Sequence, residues 1–168
     1  MTSTLKVQNI AHTGGTTGLT IDSNGYVLTP NRPAAQVSTL ASNLTTAGNI
    51  VFTTVVFDTT SMYSNGLFTA PIAGKYFVTY TFLSAGSGSG SYAPNTRVYK
   101  NGVDVGYGAA HTNLNDALGN GGTNYIGISA SLMVDCSVND TISIYNQNGN
   151  TPIYNASQHC FASVHLVG

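Results

Sequence analysis

The chain has 168 residues and a mass of 17.4 kDa, enough for one domain with an appendage and cramped for two. Only 7% of its residues are charged, against roughly 25% in an ordinary soluble domain, and glutamate is absent. The formal net charge of −1, with Lys6, Arg32, Lys75, Arg97 and Lys100 scattered along the chain, argues against a nucleic-acid partner, and no apolar run approaches the roughly 18 residues that span a bilayer.

Residues 1–35 are short β-like pieces cut by turn residues. Leu19 and Ile21 precede a Ser23-Asn24-Gly25 turn, and Tyr26 and Leu28 follow it before Pro30 and Pro33 stop the pattern. A small ribbon of this kind is marginal alone in water, so the segment is expected to be an arm that packs on something else. The first residues, MTSTLKVQN, lack the charged and apolar regions of a signal peptide, and the expectation is a protein made and assembled in a cytoplasm. Residues 34–48 read as a leading strand and a loop, since Ser and Thr density and the missing Glu argue against a helix. Residues 49–58, NIVFTTVVFD, are β-branched and apolar on both faces, as expected of a strand inside a two-layer sandwich.

The stretch that follows, NGLFTAPIAGKYFVTYTF, organises the rest. Asn65-Gly66 suits a tight hairpin turn and Ala73-Gly74 punctuates again. In the long strand Tyr76, Val78, Tyr80 and Phe82 share one face; Lys75, Phe77, Thr79, Thr81 and Leu83 share the other. The first set is a core. The second is too apolar for a free surface and is expected to be covered by another copy, with Phe77 and Leu83 at the contact.

Downstream, SAGSGSGSY joins strands, Asn101-Gly102 turns a hairpin between residues 97–100 and 103–106, and residues 108–124 form a long Gly/Asn-rich loop that reads equally as a recognition surface on a β scaffold or as a plain connection. Residues 125–134, 141–146 and 159–167 are three further strands. The total of nine or ten strands without a convincing helix makes the fold all-β, with a closed or double-sheet antiparallel architecture.

Catalytic chemistry is not legible. His12, His111, His159 and His165 have no recognisable nucleophile setting, and the Gly-x-Ser-x-Gly match within residues 86–90 belongs to a Gly/Ser repeat. The expectation is that the chain is not an enzyme. His159 and His165 would share a strand face, but no carboxylate joins them, so a packed strand histidine is the simpler reading. Asp104, Asp116, Asp135 and Asp140 sit near turns, where carboxylates supply the oxygen ligands that calcium takes, but no loop has a calcium-binding spacing and turn formation accounts for them. Cys136 and Cys160 have neither metal nor disulfide-scaffold spacing and read as two buried thiols.

Taken in order, Phe52, Asp58, Tyr63, Gly66, Phe68, Pro71, Gly74, Tyr76 and Tyr80 resemble the signature of the globular head domain of complement component one-q, within the tumour necrosis factor superfamily. Arg97-Val98-Tyr99-Lys100-Asn101-Gly102 is similar to that family's "xLxKNG" hairpin, residues 138–144 with Asp140 to its "L-x-x-G-D-x-V-x-V", and residues 161–166 with Phe161 to its closing strand. Val78, Asn139 and Ser163 depart from the family's phenylalanine and two glycines. The resemblance covers residues 36–168 and implies a ten-stranded antiparallel jelly-roll sandwich that assembles as a homotrimer; the family's calcium ligands have no counterpart here residue by residue, so no metal site or cofactor is carried over.

The family's collagen stalk is replaced by the arm of residues 1–35, which resembles N-terminal segments on virion structural proteins of tailed bacteriophages. The expected function is therefore a virion protein, assembled in the host cytoplasm. It would be a trimeric knob on the particle surface, as head decoration, head fibre or tail-fibre tip, docked to capsid or tail proteins through residues 1–35. Contact with a host surface glycan or protein belongs to the same expectation. The alternative is a soluble or secreted complement-type ligand-binding module.

Overall fold

The computed structural model describes residues 6–86, 95–110, 124–147, 153–155 and 158–167. The chain divides into two compact units, residues 1–32 and 33–168. The N-terminal unit is a three-stranded antiparallel sheet in the order β1 (Asn9–Ala11), β2 (Thr17–Ile21), β3 (Val27–Leu28). Its second turn is closed by Asp22, whose Oδ1 accepts from the Asn24 and Tyr26 amides at 2.9 and 2.8 Å, with Gly25 at φ 84°. Three strands replace the two-stranded ribbon expected from the sequence, because residues 9–11 add an edge through Asn9↔Thr20 and Ile10↔Leu19. Ile10, Tyr26, Val27 and Leu28 all remain exposed.

The second unit is a sandwich of two antiparallel sheets. One runs β12 (Asn124–Cys136), β9 (Gly74–Gly86), β14 (Phe161–Leu166), β4 (Ala34–Leu40), β6 (Phe52–Asp58). The other runs β11 (Val103–Ala110), β10 (Asn95–Lys100), β13 (Thr141–Asn146), β8 (Leu67–Thr69), β7 (Tyr63–Ser64), with β5 (Gly48–Asn49) also paired to β13. The all-β antiparallel jelly roll expected from the sequence is the fold observed. Tyr76, Val78, Tyr80 and Phe82 are at most 1% exposed and meet Val98, Ile142 and Ile144 of the facing sheet in one core.

The turns follow their chemistry. Asn65 and Gly66 both have positive φ, 46° and 83°, and so do Asn101 and Gly102, 52° and 75°, the pairing that tight hairpin turns of opposite hand require. Asn139, which stands where the family pattern has glycine, lies at φ 68°, a region that asparagine tolerates better than other side chains.

Residues 49–58 differ from expectation. β6 is the outermost strand of its sheet; only Phe52 is buried, while Val55, Val56 and Phe57 are 51%, 54% and 44% exposed. Pairing with β4 shifts at Gln36/Val37, where Val56 is the extra residue of a bulge. Two apolar faces therefore mark an edge strand here, with nothing of the described chain beyond it. Residues 87–94 and 111–123, including His111, Asp116 and most of the Gly/Ser repeat and the long loop, lie outside the described residues.

Candidate functional site

The residues that carry the family resemblance converge on two hydrogen-bonded knots rather than on a cavity. In the first, the Asp58 carboxylate accepts from the amides of Thr60, Met62 and Tyr63 at 3.2, 2.9 and 2.8 Å, closing the turn that follows β6. The Tyr63 hydroxyl donates to the Phe52 carbonyl at 3.0 Å and accepts from the Phe52 and Gly66 amides at 2.8 and 3.2 Å. Burial pushes the Tyr63 phenol up from its ordinary value, so it stays a neutral donor. Its ring also meets Phe68, with centroids 4.8 Å apart. Gly66 is fixed twice, by its φ and because a Cβ would lie 3.1 Å from the Ile50 carbonyl oxygen. Pro71 and Gly74 flank the turn into β9, where the Tyr76 hydroxyl donates to the Ile72 carbonyl; Tyr80 shares a hydrogen bond with Thr96 across the core.

The second knot joins two hairpin ends. Asp140 Oδ2 lies 2.8 Å from Lys100 Nζ and accepts from the Ser137 amide, while Oδ1 accepts from Asn101 Nδ2 at 2.7 Å. Asn101 Oδ1 in turn accepts from the Thr141 amide at 2.8 Å. The Lys100 ammonium, then Asn101 and the Ser137 amide, lower the Asp140 carboxyl to about 2. These partners are all internal, so the knot is a clasp.

What remains is the outward face of the five-stranded sheet. Register sets its rows across β12, β9 and β14: Met133–Phe77–His165, Ser131–Thr79–Ser163 and Ser129–Thr81–Phe161, with Gly127 opposite Leu83. Phe77 and Leu83 both point outward and are partly buried, and the Phe77 ring lies 5.4 Å from that of His165. Met133 is 47% exposed beside them. The middle of the face is polar but self-satisfied, because Thr79 pairs with Ser131 at 2.9 Å and Thr81 with Ser129 at 2.7 Å.

At the Leu83 end two hollows share Leu83 and His159. One, of about 490 Å³, is lined also by Tyr125 and Tyr154; the other, of about 230 Å³, by Thr81, Gly127 and Gln158. The tyrosine rings meet edge to face, 5.5 Å apart. Tyr154 is anchored through its amide to the Leu83 carbonyl at 2.8 Å and by the wholly buried Ile153 before it. The sequence offered no pattern for this cluster, since its members come from β12 and from the segment before β14 and meet only through the fold. In the N-terminal unit a further hollow of about 630 Å³ lies among Lys6, Val7, Gln8, Ile21, Asp22 and Ser23.

The histidine expectation is corrected in part. β14 begins at Phe161, so His159 sits in the turn before it and does not share a strand face with His165. Asp104 accepts from the Gly106 amide at 2.7 Å, a turn role as expected. Cys136 and Cys160 are free and buried, burial pushes both thiols up, and Cys160 Sγ donates to the Tyr154 carbonyl. Among the described residues no three His, Cys, Asp or Glu side chains gather as a metal site.

No family model matches the chain, and no curated protein matches its sequence. Its structure is similar to the globular domain of zebrafish complement 1qA protein, with TM-score 0.63 and 13% identity over 82% of this chain and 98% of that one. It is similar also to murine APRIL at pH 5.0, TM-score 0.63 and 10% identity, and at pH 8.0, TM-score 0.61 and 8% identity, each over 81% of this chain and 99% of the other. At these identities the likeness is one of fold, the jelly roll of the complement one-q and tumour necrosis factor type.

Proposed function

We propose that the chain is a trimeric, non-enzymatic surface module, three jelly-roll units packed through the outward face of the β12-β9-β14 sheet. The observation that carries this reading is the Phe77, Met133 and His165 row, an apolar and aromatic strip on a face whose polar neighbours already satisfy one another. Covering such a strip stabilises by about 25 cal/mol per Å² of apolar surface removed from water, and closed rotational symmetry lets one strip serve every copy. Of the two contact residues expected from the sequence, Phe77 is the anchor. Leu83 lies six residues further along β9, about 20 Å away at the rise of an extended strand.

The setting we propose is the surface of a tailed-bacteriophage virion, with the N-terminal unit as the part that docks to other particle proteins and the jelly roll displayed as head decoration, head fibre or tail-fibre tip. Its support is the division of the chain into a small N-terminal sheet with exposed Ile10, Tyr26, Val27 and Leu28 and a separate, fully cored unit. The similarity of the jelly roll to a complement domain supports the second reading, a soluble or secreted ligand-binding module.

Native mass spectrometry of the full chain at micromolar concentration tests the assembly. A trimer that Phe77→Asp converts to folded monomer is the expected result; a monomeric wild type overturns it. Deleting residues 1–32, which leaves β4 whole, separates the two settings. Trimers that no longer enter particles support the virion, and unchanged partner binding by the remaining domain supports the soluble module.

A further inference from the structure

We propose that the two hollows at the Leu83 end of the outward face form a binding site for a neutral saccharide. Together they are within the size range of small-molecule sites, and their walls have two different characters. On one side stand the Tyr125 and Tyr154 rings over Leu83, with Tyr125 still 55% exposed. A tyrosine held by a neighbouring ring offers a flat apolar face at low entropic cost, which is what the C–H face of a pyranose stacks against. On the other side stand Gln158 and His159, whose side chains offer donors and acceptors to sugar hydroxyls, while the Thr81 hydroxyl is already paired with Ser129. No Lys, Arg or Asp among the described residues lines either hollow.

Gly127 explains why the space exists. It faces Leu83 across the β12–β9 pair, and a Cβ built on it meets no atom of the described residues within 4 Å. A Cβ there would stand in open space. Glycine weakens a strand interior, and a glycine where the scaffold has room for a side chain leaves a notch. The Thr79–Ser131 pair separates the notch, which Thr81 lines, from Phe77, so saccharide binding and self-association use different ends of one face.

The test titrates the full chain with methyl glucoside, methyl galactoside, N-acetylglucosamine and their disaccharides, with glucuronic acid and sialyllactose as charged counterparts. Saturation transfer to sugar ring protons and tyrosine emission are the readouts. At least one neutral sugar should bind, the charged sugars no better, and Gly127→Phe and Tyr125→Ala should each weaken binding by about tenfold or more while the circular dichroism spectrum stays unchanged. Absence of transfer from every neutral sugar overturns the proposal, as does wild-type affinity in both variants. If no sugar binds and Gly127→Phe changes the oligomeric state, a second copy is the occupant and the proposal falls. A monomer that binds a neutral sugar and loses it in both variants would sustain the saccharide site while refuting the trimer.

Discussion

Replacing Tyr63 by phenylalanine removes one oxygen and leaves the ring in place against Phe52 and Phe68. That oxygen makes three hydrogen bonds to backbone, two to Phe52 and one to Gly66, and both residues are buried. Phe52 is 4% exposed, so water cannot readily take the place of the hydroxyl. Each net hydrogen bond contributes about 1 kcal/mol, and a buried group left unpaired costs about 1–3 kcal/mol, which puts Tyr63→Phe at roughly 2–3 kcal/mol of lost stability. For a chain of this size that is a fall in Tm of roughly 5–10 °C. Urea unfolding followed by circular dichroism, at several protein concentrations so that assembly is held apart from folding, measures it. A loss under about 0.5 kcal/mol would refute the reasoning, because it would mean that the Phe52 and Gly66 groups find other partners at no cost.

Three further perturbations follow from the same structure. A Cβ at Gly108 would lie 1.9 Å from the Thr96 carbonyl oxygen and 2.8 Å from Arg97 Cα, so Gly108→Ala should destabilise by about 3 kcal/mol or more, read as a lowered urea midpoint. Thr39 is β-branched at φ 60°, and Thr39→Asn should stabilise by about 1 kcal/mol in the same assay, since asparagine occupies that region at less strain. Asp140 is held at about 2 against an ordinary 3.8, foremost by Lys100; a carboxyl lowered in the folded state contributes stability above its unfolded value and loses it as pH falls toward 2. Asp140→Asn should therefore cost more at pH 6 than at pH 2, and equal cost at both would show the clasp to be electrostatically idle.

Local chemistry was the legible part of this chain. The alternation of Tyr76, Val78, Tyr80 and Phe82 named the buried face of β9, and Asn65-Gly66 and Asn101-Gly102 named the turns, because period and positive φ are properties of neighbours in sequence. The family-like residues were also found, yet Asp58, Tyr63, Asn101 and Asp140 turn out to bind their own backbone and one another. Position within a sheet was not legible. Residues 52–58 are apolar on both faces, which fits a buried strand and a sticky edge equally, and only the pairing partners decide between them. The Tyr125, Tyr154 and His159 cluster was invisible for a related reason: β12 and the segment before β14 meet there only through the fold, and neither carries a motif.

β14 lies between β9 and β4 and pairs with both, although it is made after every strand of the two sheets. During synthesis β4 and β9 can therefore hold no common register, and the sheet has a gap at its centre until Phe161–Leu166 leaves the ribosome. A chain that lacks that strand leaves the β9 and β4 edges unfilled alongside the apolar edge of β6, the kind of open edge that pairs with other chains.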